Sequence, residues 1–517
     1  MSTDPQRPAT LDALTEALTA SRTAPLRMDP AEFRRVGHGL VDAIADFLGS
    51  VPARPVTTGE ESPVIQRLVN ATASLPEEGT DAEVLLRDTT ALLTDHSLLN
   101  GHPRFFGYIT SSPAPIGMLG DLLAAAVNAN VGAWQLSPVA TEIEAQTVRW
   151  IAQLIGYPTA CGGLLVSGGN MANMVGVFAA RAAAARWDIR KAGMSDSAAR
   201  PLRIYASAET HTWVQKAADL SGVGTDSIRW IPTYHDQRMD IDALRAAIDS
   251  DRSDGDVPMM VVGTAGSVST GAIDPLIEIA RICREAEVWF HIDGAYGALA
   301  AAVADSSSDL AALGLADSVA VDPHKWLYTP LEAGCVLVRD AECLQNAFAY
   351  HPSYYHFGQG PIDYAEYGPQ NSRGFRALKV WLALRHVGRS GYVRMIGDDI
   401  RLSELLYELL REHPTLQALT QSLSITTFRY VPPDLQATIG SDETESYLNK
   451  LNQALLERIQ ASGEAFVSNA VIHGRYVLRA CIVNFNTSVA DVEALPEIVA
   501  RLGRATDEAL RAVAGQA

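Results

Sequence analysis

The stretch ADSVAVDPHKWLY, Ala316 to Tyr328, decides how the rest of the chain reads. Val319, Ala320 and Val321 predict a short apolar strand, Pro323 stops it, and His324 and Lys325 follow just past the strand end. In α/β sheets that is where ligands bind. A lysine after a strand is more often a solvated surface charge. Here bulky Trp326 and Leu327 come next and should be buried, which sets the amine in a desolvated place. Desolvation lowers a lysine's pKa and frees it as a nucleophile for imine chemistry.

Working outward, VWFHIDGAYG (Val288 to Gly297) is a second apolar strand ending in Asp293, followed by the small residues Gly294 and Ala295. An aspartate at a strand end is often only a loop cap. With small neighbours that let a flat ring lie close, it is also what a protonated pyridine nitrogen needs. Further back, LLVSGGN (Leu164 to Asn170) runs through Ser167, Gly168 and Gly169 into an Ala-rich helical pattern. Glycines there let N–H groups at a helix N-terminus approach a phosphate. Phosphate cradle, carboxylate and strand-end lysine, in that order, read together as a site for pyridoxal 5′-phosphate (PLP) held as an internal aldimine.

HIDGAY followed by DPHKW resembles the group II PLP-dependent amino-acid decarboxylases, the family of aromatic-L-amino-acid decarboxylase. The similarity runs from about Met28 to near the C-terminus. It includes HPRFFGYITSSPAP (His102 to Pro115), WQLSPVATEIE (Trp134 to Glu144), SGGNMAN (Ser167 to Asn173), ETH (Glu209 to His211) and GFRALKVW (Gly374 to Trp381). The resemblance implies an α/β chain of PLP-dependent fold type I, aspartate-aminotransferase-like, with a mainly parallel central sheet and a small C-terminal α+β domain. It also implies a homodimer that decarboxylates an L-amino acid to the amine and CO2. Aromatic substrates are expected: tyrosine, DOPA, phenylalanine or tryptophan.

Site residues carry over position by position. Lys325 would hold PLP, Asp293 the ring nitrogen, and Gly168 and Gly169 the phosphate. Ala295 would lie against the ring, and His211 would stack on it and take part in catalysis; by itself His211 is a loop histidine. Asp322 and His324 would reach the phosphate side. Many members have Asn at position 322, and an ionised carboxylate beside a phosphate dianion is unfavourable. Phe106 and Tyr108 would line the substrate pocket, though core aromatics flanking a Pro-rich bend read the same way. Ser372 aligns with a position where members carry Gly or Ser, the serine going with smaller phenol or imidazole side chains. In FAYHPSYYHFGQG (Phe348 to Gly360), a Gly- and Pro-containing loop suited to closing over a site, Tyr354 matches the tyrosine that protonates the α-carbon. Adjacent Tyr355 leaves that register open. Members with Phe there yield an aldehyde, so an aldehyde synthase is the alternative within PLP chemistry, beside decarboxylation of a non-aromatic amino acid. A non-catalytic PLP fold and a nucleotide-binding protein using LVSGGN are readings from other classes; SGGN lacks the G-x-G-x-x-G pattern of the latter.

Composition agrees with a soluble enzyme. At 517 residues two or three domains are expected, and 47% hydrophobic with 20% charged residues is a globular balance. A net charge of −19 argues against nucleic-acid binding, and the absence of a basic run argues against an anionic membrane. No window reaches the roughly 18 uninterrupted apolar residues of a spanning helix. Five widely spaced cysteines with no C-x-x-C pair suggest neither disulfides nor zinc, hence no metal, and fit a cytoplasmic setting. The first residues carry no signal-peptide core.

Four segments are expected: a loosely ordered extension at 1–27, a helical segment at 28–105, a PLP-binding α/β domain at 106–388 and a small domain at 389–517. Asp29 as N-cap, Pro30 at the first helical position and Glu32 predict a helix start. Phe33, Val36, Leu40, Ile44, Phe47 and Leu48 give that helix an apolar face, which the resemblance implies wraps over a dimer partner. Strands are expected at 164–167, 203–207, 258–263, 288–293, 317–321 and 334–338, alternating with helices. Beyond Gly388, strands at Ser424 to Val431 and Tyr476 to Phe485 lie between helices.

Overall fold

The computed structural model of the protein describes residues 10–350 and 361–514. The chain forms two compact units: Met1–Arg54 with Glu60–Ser97, and Pro55–Gly59 with Leu98–Ala517.

The first unit is helical, with helices Leu11–Ser21, Pro30–Ser50, Ser62–Leu68 and Ala82–His96. Pro30 opens its helix because the Asp29 carboxylate accepts from the N–H groups of Ala31 and Glu32, at 2.7 and 2.9 Å. The stretch expected to be loosely ordered contains a helix instead. Thr10 caps it through Oγ1, and Leu11, Leu14 and Leu18 share one side, all three still exposed. Arg35 pairs with Glu83 and Arg54 with Asp95, tying helix Pro30–Ser50 and its C-terminal extension to helix Ala82–His96. Residues 98–105, grouped with this segment on sequence grounds, belong to the second unit, where Phe105 packs with Val56 and Phe466.

The second unit is built on a seven-stranded sheet: β1 Gly162–Val166, β2 Leu202–Ser207, β3 Ile228–Ile231, β4 Val257–Thr264, β5 Trp289–Asp293, β6 Ser318–Val321 and β7 Gly334–Val338. The spatial order is β1-β7-β6-β5-β4-β2-β3. Strands β2 to β6 pair in parallel, while β7 is antiparallel to both β6 and β1, so β7 alone is reversed. The sheet is therefore α/β and mainly parallel, as expected. The interior strands read as unbroken apolar runs because helices cover both faces, leaving Met259, Met260, Val261 and Val262 fully buried. Strand β3 escaped the sequence reading: it has four residues, and Arg229 breaks its apolar run.

Helical run Ala377–Glu412 leaves this sheet and breaks at Gly388, whose φ of 68° is left-handed. It leads to a four-stranded antiparallel sheet of β8 Leu416–Ser422, β9 Ile425–Tyr430, β10 Ser468–Ile472 and β11 Arg475–Cys481, ordered β10-β11-β9-β8. Helices Asp442–Ser462 and Val489–Ala514 contribute to the apolar core on this sheet. Strands β8 and β10 were not anticipated, because polar residues dominate LQALTQS and SNAVI alternates buried with exposed positions. Among the described residues no helix is long and apolar enough to cross a membrane. No group of three or more His, Cys, Asp or Glu is placed to hold a metal ion among them either.

Candidate active site

The C-terminal ends of β1, β2, β4, β5 and β6 lie on one side of the sheet, and the segments leaving them converge there. Past β6, Pro323 starts a one-turn helix, Pro323–Trp326, that carries Lys325. Its Nζ stands 3.1 Å from Asp322 Oδ2, and His324 Nε2 is 3.7 Å from the same oxygen. The turn is fixed from outside: Ser111 Oγ donates to the His324 carbonyl at 2.7 Å, and His324 Nδ1 lies 2.7 Å from the carbonyl of Ala333.

Asp293 ends β5. Its Oδ2 accepts from Trp213 Nε1 at 2.7 Å and its Oδ1 from the Ala295 N–H at 3.2 Å. Two residues back on the same face of β5, His291 is fully buried, with Nδ1 2.8 Å from Ser318 Oγ and Nε2 2.7 Å from Asn173 Oδ1. Burial pushes its pKa down to about 4, with Asp293 opposing. A neutral ring, with Nε2–H donating to Asn173, thus ties β5 to helix Gly169–Ala184.

That helix begins at the glycine pair after β1. Gly168 is its N-cap at φ 125°, a backbone conformation closed to other residues, and no side chain caps the helix. A Cβ on Gly169 would sit 2.6 Å from Asp322 Oδ2 and 3.0 Å from the Ala295 methyl. Gly334, at the start of β7, packs so closely that a Cβ there would meet the Gly168 carbonyl carbon at 2.4 Å. The loop is therefore a bare backbone cradle whose first N–H groups are open to an anion.

His211 keeps an exposed surface, yet desolvation by surrounding protein lowers its pKa; Asp293 opposes that shift, while Lys325 and Lys216 add to it. His324 is also held below the usual histidine value, by burial first, with Asp322 opposing. Both are thereby biased toward the neutral form.

The structure thus brings Gly168, Gly169, Ala295, Asp322, His324 and Lys325 together, with Asp293 and His211 within electrostatic reach. Phe106 is fully buried in the core of the four-stranded lobe with Leu410, Phe428 and Ile482, where its N–H and C=O pair with Phe466 and Cys481, a place that matches the core-aromatic reading of this bend. Tyr108 is exposed, its ring 6.0 Å from that of Phe466, and Ser372 is exposed as well. Tyr354 and Tyr355 lie outside the described residues. Trp213 was missed, although a buried tryptophan just after a strand-end histidine needs an acceptor, and Asp293 is the one it finds. Also unforeseen was Asp274, which accepts from the N–H groups of Met239 and Thr264 and fixes the end of β4.

The chemistry of this set fits PLP. Two buried oxygens here, Asp322 Oδ1 and Thr210 Oγ1, have no hydrogen-bond partner among the described residues. Buried polar atoms left so are costly and suit a polar ligand. The helix N-terminus would hold the phosphate, the carboxylate the pyridinium, and the lysine amine the aldehyde group.

Comparison with known proteins agrees. The pyridoxal-dependent decarboxylase conserved domain matches residues 65–431. An aromatic-L-amino-acid decarboxylase of Bacillus atrophaeus is 32% identical over 90% of this chain and 94% of its own. A phenylacetaldehyde synthase of Petunia hybrida is 30% identical over 88% and 91%. Among solved structures, that of Oryza sativa TDC with PLP and tryptamine superposes with a TM-score of 0.85 at 28% identity, covering 93% of this chain and 99% of that one.

Proposed function

The chain belongs to the pyridoxal-dependent decarboxylase family, and we propose that it converts an aromatic L-amino acid to the corresponding amine and CO2. The observation that carries this reading is Lys325 beside Asp322, on the same strand-end face as Asp293 and the glycine cradle. PLP, when bound, supplies the electron sink for the pair released as the Cα–carboxylate bond breaks. The protein's part is to place that bond and manage protons. Asp293, restrained by Trp213 and the Ala295 N–H, keeps a proton on the ring nitrogen. Gly168 and Gly169 present helix N–H groups to the phosphate. Lys325 would provide the amine that holds the cofactor, and Asp322 holds that Nζ in place at 3.1 Å. Neutral His211 offers a flat, uncharged face to the ring. In the segment outside the described residues, Tyr354 donates the proton that the substrate Cα takes up after CO2 departs.

Support for an aromatic substrate comes from the similar Bacillus atrophaeus and rice proteins. The petunia relative's name favours a second reading, aldehyde formation; a tyrosine at 354 favours the amine. Phe33, Val41 and Ile44 leave apolar surface on helix Pro30–Ser50, which supports a homodimer. All five cysteines are free, which suits the cytoplasm. The test is a product screen across the twenty amino acids and DOPA, scoring amine, aldehyde and CO2, with Tyr354→Phe and Tyr355→Phe alongside. Amine from an aromatic substrate, switching to aldehyde in Tyr354→Phe alone, supports the reading. Aldehyde from the unaltered enzyme contradicts it.

A further inference from the structure

Resting on the reading of Lys325 as the cofactor lysine, we propose that Asp399 is a positioning residue that fixes Lys325 through Trp326 and Tyr328. Asp399 lies in helical run Ala377–Glu412, beyond the break at Gly388, and is 2% exposed. One oxygen, Oδ2, accepts from Trp326 Nε1 at 2.9 Å and from the Tyr328 hydroxyl at 2.7 Å. These donors stand one and three residues after the lysine.

The same helix face secures the residue between them. Tyr392, two turns before Asp399, donates its hydroxyl to the Leu327 carbonyl at 3.1 Å, and its ring stacks on Tyr328 with planes 7° apart. Every residue from 326 to 328 is therefore bonded to one stretch of helix. Tyr328 needs the restraint, because its φ of 52° is left-handed, a conformation an aromatic residue adopts only when its surroundings impose it. Its carbonyl accepts from the Ala114 N–H at 2.7 Å. On the other side, Trp326 stacks on Tyr296 at 4.7 Å, and the Tyr296 hydroxyl lies 2.8 Å from Ser424 Oγ. The lysine-bearing turn is thus pinned between the large sheet and the lobe that Asp399 helps to build.

A neutral acceptor would satisfy an indole N–H and a phenol at lower desolvation cost. Asp399 bears that cost without an ion-pair partner among the described residues. Burial pushes its pKa up to about 7; the hydrogen bonds from Tyr328, Trp326 and the Asn484 N–H oppose the shift and nearby Asp398 adds to it. A charged acceptor makes shorter, stronger bonds to both donors and so fixes the turn more tightly.

The test compares the unaltered protein, Asp399→Asn and the double variant Trp326→Phe/Tyr328→Phe at pH 8. Three quantities are read: PLP dissociation constant, rate of borohydride trapping at Lys325, and thermal midpoint without PLP. For Asp399→Asn the expected result is a PLP constant raised at least about 10-fold and slower trapping, with the PLP-free midpoint unchanged or higher because a buried charge is gone. The double variant should weaken PLP binding comparably. Wild-type affinity and trapping rate in Asp399→Asn overturn the proposal. So does a fall in midpoint that accounts for the weakened binding, which marks a purely structural carboxylate. If Asp399→Asn does not fold, unchanged PLP affinity in the double variant overturns it instead. Failure of the unaltered protein to trap PLP on Lys325 would strike the underlying reading, a separate outcome.

Discussion

Replacing Glu144 with Gln removes one charge from the most enclosed ion pair beside the candidate site. The Glu144 and Arg373 side chains are 0% and 1% exposed, and Arg373 Nη2 reaches Glu144 Oε1 at 2.5 Å. The pair also straddles Leu165 on edge strand β1. Glu144 Oε1 accepts from the Leu165 N–H at 2.8 Å, Arg373 Nη2 donates to the Leu165 carbonyl at 2.6 Å, and Nη1 donates to the Val131 carbonyl at 2.9 Å. Leu165 is three residues before Gly168, so the pair closes the free edge of the strand that carries the phosphate cradle. Gln can still accept from Leu165, and the loss is mainly the counter-charge of a buried guanidinium, about 3–5 kcal/mol. Apolar replacement often rescues buried pairs, but it should fail here. Glu144→Leu/Arg373→Leu would orphan the Leu165 N–H, the Leu165 carbonyl and the Val131 carbonyl at about 1–3 kcal/mol each. Urea unfolding followed by far-UV circular dichroism in saturating PLP measures both. Destabilisation below about 1 kcal/mol in Glu144→Gln, or wild-type stability in the double variant, would refute this account of the edge.

Gly334→Ala should destabilise by about 1–3 kcal/mol and raise the PLP dissociation constant at least about 10-fold, because its Cβ meets the backbone of Gly168 and no side chain can yield; absorbance titration with PLP reads the second effect, and an unchanged constant would remove Gly334 from the cradle. His291 supplies a pH signature. Its folded pKa of about 4 lies below the ordinary value of 6.5, so the unfolded chain takes the proton first as pH falls. Its contribution is complete above pH 6.5 and fades on acidification toward pH 4, by about 2 kcal/mol at pH 5. Unfolding free energies at pH 7.5 and 5.0 for the protein and His291→Asn should show that much less pH dependence in the variant, and equal slopes would contradict the assignment.

The site was legible where chemistry and strand ends coincide in sequence. VAVDPHK, FHIDGA and LLVSGGN each carry an apolar run and its functional residue within ten positions, so local reading sufficed. What escaped depends on long-range partners. Trp213 and Asp293 are 80 residues apart, Glu144 and Arg373 are 229 apart, and Asp399 meets Trp326 across 73. No period or propensity reports such pairs. The burial of Phe106 was hidden for the same reason, since it is decided by backbone pairing with Phe466 and Cys481 far downstream. Short strands β3, β8 and β10 were lost because polar residues such as Arg229, Gln417 and Asn469 interrupt their apolar pattern and mimic loops.

Borohydride reduction of the PLP-loaded protein followed by peptide mapping tests the central claim most directly. The account predicts a single pyridoxyl group on Lys325, in the peptide containing DPHKW. A pyridoxyl group on Lys216 or Lys379, or none on any lysine at saturating PLP, would contradict it.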